Sequence, residues 1–213
     1  MAGRARVVAV AGATGLVGRA LVTRLCADPS VAQVHALARR PLAWAHPKLT
    51  MHVVDFAALS ALPALDEVYL ALGTTIKDAG SQARFRAVDF DANLAVARAA
   101  QAAGARSPVF YSRVKGELED ALAALPFEAR VIARPSMLRG DRAALGQPPR
   151  PGELRWERLD ALLRPLIPRN LRAIDAADVA AALAQRVPRA RGHEILKSGA
   201  MQDASRAPAR HRR

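Results

Sequence analysis

The segment that most constrains this chain is Gly12-Ala13-Thr14-Gly15-Leu16-Val17-Gly18, directly after the apolar run Val7-Val8-Ala9-Val10-Ala11. The apolar run reads as a buried strand, and the apolar periodicity beyond the glycines reads as a helix. Three glycines spaced three and three then form the turn between them. Gly12 permits the tight turn off the strand, and Gly15 lets the backbone approach an anion with no Cβ in between. Gly18 lets the helix pack closely on the strand. The first N–H groups and the dipole of that helix face the same anion. An ordinary glycine-rich turn is the competing reading, but the strand before and helix after favour a site for a dinucleotide's pyrophosphate. Gly12, Thr14, Gly15, Leu16, Val17 and Gly18 are its candidate contacts.

At 213 residues, 51% of them apolar, the chain suits one folded domain over 1–213. Cys26 is the only cysteine. That excludes an internal disulfide and fits a reducing cytoplasm, the expected location. The thiol falls on the apolar side of the first helix, where core packing is expected rather than reactivity. Glycines and Arg19 interrupt the N-terminal apolar stretch, so it does not read as a signal peptide. No run of about 18 apolar residues is present, so no membrane span is expected. The net charge of +13 invites a nucleic-acid reading, but the arginines are dispersed and only two Trp and two Tyr are available to stack on bases. No nucleic-acid partner is expected. The densest arginine cluster, at 206–213, reads as a disordered basic tail.

Strands are expected at 6–11, 31–38, 50–54, 67–72, 129–133 and 193–197, with helices at 16–27, 84–103, 111–125 and 176–185. Gly104 stops the second helix, and Asp175 could cap the last. The region 146–152 reads as loop, and 154–167 as helical with a break at Pro165. Alternating strands and helices predict an α/β fold with a Rossmann-like, doubly wound parallel sheet. Its ligand belongs at the carboxyl ends of the strands. Residues 139–205 form a smaller substrate-side appendage in this reading.

The end of the second strand separates NAD from NADP. An acidic residue there would bond the ribose hydroxyls. This chain has Arg39-Arg40 instead, and a guanidinium can pair with a 2′-phosphate and stack on adenine. The expected cofactor is therefore NADP (NADPH), with NAD as the alternative. Asp55 could meet the adenine amino group, and Gly73-Thr74 could pass its backbone beside the cofactor.

Tyr111-Ser112-Arg113-Val114-Lys115 is a Tyr-x-x-x-Lys element. On a helix the phenol and ammonium would share a face, and the ammonium would lower the phenol's pKa for proton exchange. These motifs, with Leu72-Gly73-Thr74-Thr75 and Arg134-Pro135-Ser136, resemble the short-chain dehydrogenase/reductase superfamily. The likeness is strongest to its atypical, NADPH-binding branch, which includes Tat-interacting-protein-like and sugar-epimerase-like proteins. The resemblance implies Tyr111 as acid/base, Lys115 as its partner and ribose contact, and Pro135 and Ser136 near the nicotinamide. It implies an oxidoreductase or epimerase acting on a carbonyl or hydroxyl of a small molecule.

One departure is large. The family has a strand ending in serine between the long helix and the Tyr helix. Here only Ala105-Arg106-Ser107-Pro108-Val109-Phe110 separates Gly104 from Tyr111, and no serine lies between Ser81 and Ser107. Six residues are too few for a turn, a strand and a return loop before a helical tyrosine. The sheet is therefore expected to be one strand short. Either 129–133 pairs directly with 67–72, or Val109-Phe110-Tyr111 is drawn into the gap, or a segment of gene has been lost. A catalytically impaired dinucleotide-binding module acting through a protein partner is the alternative function. Arg139, Arg142, Arg150, Arg155 and Arg158 could receive an anionic group of a substrate, and Trp156 reads as packing. The histidines lack metal-ligand spacing, so no metal is expected.

Overall fold

A computed structural model describes residues 4–41, 43–111, 116–140 and 167–206. The elements in order are β1 (Arg6–Ala11), α1 (Leu16–Ala27), β2 (Val31–Ala38), β3 (Leu49–Val53) and β4 (Glu67–Leu70). Then come α2 (Ile76–Ala79), α3 (Gln82–Arg86), a π-helical segment (Ala87–Ala92) and α4 (Asn93–Ala102). β5 (Ser107–Tyr111), α5 (Glu117–Ala123), β6 (Ala129–Arg134) and β7 (Leu138–Arg139) follow. The last are β8 (Ile174–Asp175), α6 (Ala176–Arg186), β9 (Gly192–Lys197) and α7 (Ser198–Arg206).

Seven strands form one parallel sheet in the order β3-β2-β1-β4-β5-β6-β9. Val8, Ala9, Val10 and Ala11 of β1 are wholly buried, as a central strand covered on both faces requires. One core joins α1, α6 and α7 to the sheet through Leu21, Leu25, Val179, Leu183 and Met201. The other packs Val96, Ala97, Leu118 and Leu122 of α4 and α5 against the opposite face. The strand order reverses between β1 and β4, so the topological switch point lies just past the glycine run. Cys26 is buried in the first core, and burial raises its thiol pKa. This is the inert packing role expected of it.

The doubly wound class holds, but the sheet is not one strand short. β5 takes the slot, pairing Leu70 with Phe110 on one side and Ala133 with Tyr111 on the other. Leaving the slot empty would strand buried N–H and C=O groups of β4 and β6. The economy is at Gly104, which turns the chain at φ +89° so that Arg106 N–H already bonds Asp66 O at 3.1 Å. The expected helix at 111–125 therefore begins only at Glu117, and Tyr111 ends a strand.

Residues from the expected C-terminal appendage enter the main body: β9 pairs along β6, and α6 packs on α1. β7 and β8 form a separate two-stranded ribbon. Asp175 stands at the N-cap of α6 but makes no capping bond, and it pairs with Arg139 instead. The expectations for 146–152, for the helix at 154–167 but for its last residue, for Trp156 and for Arg142, Arg150, Arg155 and Arg158 lie outside the described residues. So does the tail beyond Arg206.

At the β3 edge, His35 Nδ1 and His52 Nε2 lie 3.0 Å apart across β2 and β3. Burial, and next the charge of His52, lower the His35 pKa. At His35 the unfolded chain then binds more protons below about pH 6.5, so His35 removes stability as pH falls through that range. Melts at about pH 7.5 and about pH 5.5 are expected to show a smaller acid-induced drop in Tm for His35→Gln than for the parent. Equal drops would mean that His35 does not contribute to the acid sensitivity of the fold.

Candidate functional site

The glycine run sits where β1 hands over to α1. Gly12 adopts φ +82°, and a Cβ on it would meet Ala71 O at 2.5 Å. A Cβ on Gly18 would meet Gly12 O at 2.1 Å, so α1 lies directly against the turn. Gly15 is the N-cap of α1, and its N–H donates to Gly12 O at 2.9 Å. A Cβ there would touch only Gly12 O, at 3.4 Å, and the remaining space opens to the cleft. No acidic residue occupies the first turn of α1, so its orphan N–H groups and dipole face an anion site without competition.

This turn forms one wall of a cleft of about 620 Å³, within the range of small-molecule sites. The cleft brings together Gly12, Thr14, Gly15, Arg39, Arg40, Asp55 and Gly73 from four separate strand ends. Arg39 and Arg40 are exposed at the end of β2, and neither is ion-paired among the described residues. The Asp55 carboxylate accepts from Ala57 N–H at 2.9 Å, which holds the turn after β3. Glycine cradle, helix terminus and exposed guanidinium pair fit the anionic groups of a dinucleotide.

The remaining sequence candidates lie elsewhere. Val17 and Gly18 are buried in packing, and Leu16 packs on the first core. Thr74 is outside the cleft lining, with its N–H donating to Asp89 at 2.9 Å. Ser136 donates its N–H to Ser198 Oγ at 2.9 Å and its hydroxyl to Arg172 O at 2.6 Å. Neither it nor Pro135 lines the cleft. Tyr111 is the last residue of β5, and Lys115 lies outside the described residues. The shared helical face on which their pairing rested does not exist at Tyr111. Arg139 is drawn towards Asp175 at 3.6 Å. Among the described residues no cluster of three or more His, Cys, Asp or Glu could hold a metal.

Sequence reasoning missed the opposite wall, made by Ala87, Val88, Asp91, Ala92 and Ala95. In the sequence Val88, Ala92 and Ala95 share one face of the expected helix at 84–103, and the small size of the alanines is the one signal that this face leaves room. It also missed Asn93, wholly buried beneath the loop after β4. Its Nδ2 donates to Asp89 O at 3.0 Å, and at 3.3 Å to both Val88 O and Leu72 O. The π-helical winding shifts the helical bonding by a residue, and this amide ties the affected carbonyls to the cleft loop.

The family model described as the NAD dependent epimerase/dehydratase family matches residues 8–115. "Protein fmp52-1, mitochondrial" of Aspergillus terreus is 36% identical over 157 residues, 63% of this chain and 68% of that protein. "Protein fmp52, mitochondrial" of Aspergillus fumigatus is 37% identical over 169 residues, 68% of this chain and 70% of the relative. These relatives are named mitochondrial, which overturns the expectation of a cytoplasmic location. Among solved structures, the Bordetella bronchiseptica enzyme WbmH in complex with NAD+ is similar with a TM-score of 0.65. Its identity is 16%, over 91% of this chain and 76% of that one. The UDP-N-acetylglucosamine 4-epimerase from Methanobrevibacter ruminantium M1, in complex with UDP-N-acetylmuramic acid, has a TM-score of 0.63 at 15% identity. It covers 92% of this chain and 77% of that one. The structural likenesses establish a Rossmann-type fold, and the family model with the fmp52 relatives bears out the resemblance to atypical short-chain dehydrogenases/reductases. On the family model and the relatives together, the chain belongs to the NAD dependent epimerase/dehydratase family.

Proposed function

We propose that this chain binds NADP(H) in preference to NAD(H), and that binding rather than hydride transfer is its principal activity. The observation that carries the preference is the pair Arg39 and Arg40, exposed and without an ion pair among the described residues, in the same cleft as Gly12 and Gly15. Gly12, Thr14 and Gly15 would hold the pyrophosphate, and Asp55 would take the adenine amino group. Bound NADP supplies a hydride acceptor or donor to any chemistry at the site. What supports binding over catalysis is β5. The tyrosine that should handle the proton ends a strand, where a reductase or epimerase needs it on a helix one turn from its lysine. The oxidoreductase or epimerase reading, on a carbonyl or hydroxyl of a small molecule, is therefore the second one.

Calorimetric titration tests both. NADPH is expected to bind at least about tenfold tighter than NADH, since a charge-assisted bond contributes about 1.5–3 kcal/mol. The double variant Arg39→Ala, Arg40→Ala should bring the two affinities within about threefold. NADH binding as tightly as NADPH to the parent would sink the preference. Turnover of any carbonyl substrate that Tyr111→Phe abolishes would restore the catalytic reading.

A further inference from the structure

We infer that the outer edge of β9 is a docking site for an extended acidic segment of a partner protein, which adds to the sheet as a further strand. The inference is independent of the cofactor reading, because β5 and β6 separate β9 from β4 and β9 takes no part in the cleft.

β9 is a terminal strand of the sheet. β6 pairs with it along its whole length, from Ala129 with Gly192 to Arg134 with Lys197, and no described strand pairs with its other side. Alternate N–H and C=O groups of β9 therefore point outward, beyond the ladder, where an added strand would meet them. Side chains alternate across the strand. Leu196 turns into the first core, where α7 joins it through Met201. His193, Ile195 and Lys197 stand on the opposite face, in register with Arg130, Ile132 and Arg134 of β6, and all three are exposed. Ile132 is buried, whereas its neighbour Ile195 is 41% exposed. The other edge differs. On β3, Thr50 and His52 already spend their side chains on Gln33 and His35 of β2.

Charge selects the occupant. Arg191 stands exposed just before β9 and Lys197 exposed at its end, and neither is ion-paired among the described residues. The one carboxylate of the strand, Glu194, lies on the other face and is held by Arg186 at 3.4 Å. An edge guarded only against pairing would carry charge along its middle. This one carries an exposed isoleucine there and cations at its ends, which complements acidic residues on either side of an apolar one. A second copy of this chain fits poorly. Antiparallel pairing of two β9 strands would bring Lys197 close to Arg191 and His193 of the other copy, between molecules of net charge +13. The basic stretch at 206–213 is disfavoured by the same repulsion. A polyphosphate or an anionic lipid would meet the cations but leave Ile195 and the outward backbone groups unused.

The test is fluorescence anisotropy on the full chain with three labelled, end-blocked peptides. The first is Glu-Thr-Val-Thr-Glu-Thr-Glu, and the second replaces each Glu by Lys. The third, Glu-Pro-Val-Pro-Glu-Pro-Glu, keeps the charge but cannot form a ladder. The first is expected to bind at least about tenfold tighter than either of the others, and to slow amide exchange within Gly192–Lys197 at least about fivefold. Arg191→Glu with Lys197→Glu should weaken it at least about tenfold at an unchanged Tm, since both side chains are exposed. Arg19→Glu with Arg24→Glu makes the same change in net charge on the exposed side of α1 and should weaken it less than about threefold. Equal binding of the proline peptide would reduce the edge to an anion patch and overturn the inference. Equal losses in the two double variants would overturn it too, as attraction to overall charge. So would no binding of the first peptide, or a dimer of the chain that Ile195→Lys makes monomeric.

Discussion

Gly18→Ala is expected to destabilise the chain by about 3 kcal/mol, the upper part of the range for overpacking. A domain of this size would then melt roughly 6–12 °C lower. The reason is what the new methyl meets. Its Cβ would lie 2.1 Å from Gly12 O and 2.7 Å from Gly12 C, and both are backbone atoms that no rotamer change can move aside. Either α1 lifts off β1 or the turn at Gly12 shifts, and each opens the first core around Val17 and Leu21. Gly12→Ala should behave alike, because it meets Ala71 O at 2.5 Å and also forces an L side chain to φ +82°. Gly15→Ala is the informative contrast. Its Cβ meets only Gly12 O, at 3.4 Å, so Tm should move by no more than about 2 °C, the effect of roughly 0.5 kcal/mol. Its methyl instead projects beside the cleft and should weaken NADPH about tenfold or more, as a ligand can no longer reach the backbone. Thermal melts and calorimetry on the three variants separate the roles. A Gly18→Ala protein melting with the parent would show that helix and turn are not in the contact described.

That contrast also marks how much of the molecule was legible in its sequence. The bounds of β1, α1 and β2 follow from the glycine run and the unbroken apolar stretches, and they coincide with the observed elements. Arg39, Arg40 and Asp55 reach one cleft because each lies within two residues of the end of a parallel strand, and parallel strands end on one side of the sheet. β5 was legible only as one alternative for the gap, Val109-Phe110-Tyr111 drawn into it, and two physical reasons kept it from standing alone. Pro108 lacks the N–H that a central strand should donate, which argues locally against a strand there. Only the need to fill the slot between β4 and β6 overrides that preference, and that need is tertiary. The Asn93 network was hidden for a similar reason. An asparagine in a helix carries no mark of the carbonyls it will meet until π-helical winding and the loop after β4 meet in space. Local rules thus find the half of the site built by strand ends and miss the half built by packing.

Glu67→Ala is expected to destabilise the fold by about 3–5 kcal/mol, the usual loss when one member of a buried ion pair is removed. Glu67 begins β4 with its side chain 6% exposed, and both its oxygens accept from Arg6 Nη1, at 2.8 and 2.7 Å. Tyr69 OH donates to the same carboxylate at 2.9 Å from full burial. Burial first, and then the Glu67 charge, hold the phenol pKa well above its usual value, so Tyr69 stays a donor. Removing Glu67 leaves a 16%-exposed guanidinium without its closest counter-charge and orphans a buried hydroxyl. Tyr69→Phe should lose only about 1 kcal/mol, because Arg6 still satisfies the carboxylate. Arg6→Leu with Glu67→Leu should recover only part of the loss, since packed apolar groups replace the ion pair at little expense but the buried Tyr69 hydroxyl still lacks its acceptor. Arg6 also reaches Asp28 at 3.1 Å. There burial would raise the carboxyl pKa, but Ser30 hydrogen bonds and the Arg6 charge outweigh it and lower it. Asp28 therefore contributes stability above about pH 3.9 that is lost as pH falls through its depressed folded value. The pair bridges β1 and β4 at the ends remote from the cleft, where these strands flank the switch point. Loosening it should release the frame that carries Gly12 at one strand's exit and Leu72-Gly73 at the other's. In Glu67→Ala, denaturant unfolding is the direct measurement, with NADPH affinity read in the same samples. A loss under about 1 kcal/mol would mean that water already reaches Arg6, and that the β1–β4 frame stands on packing alone.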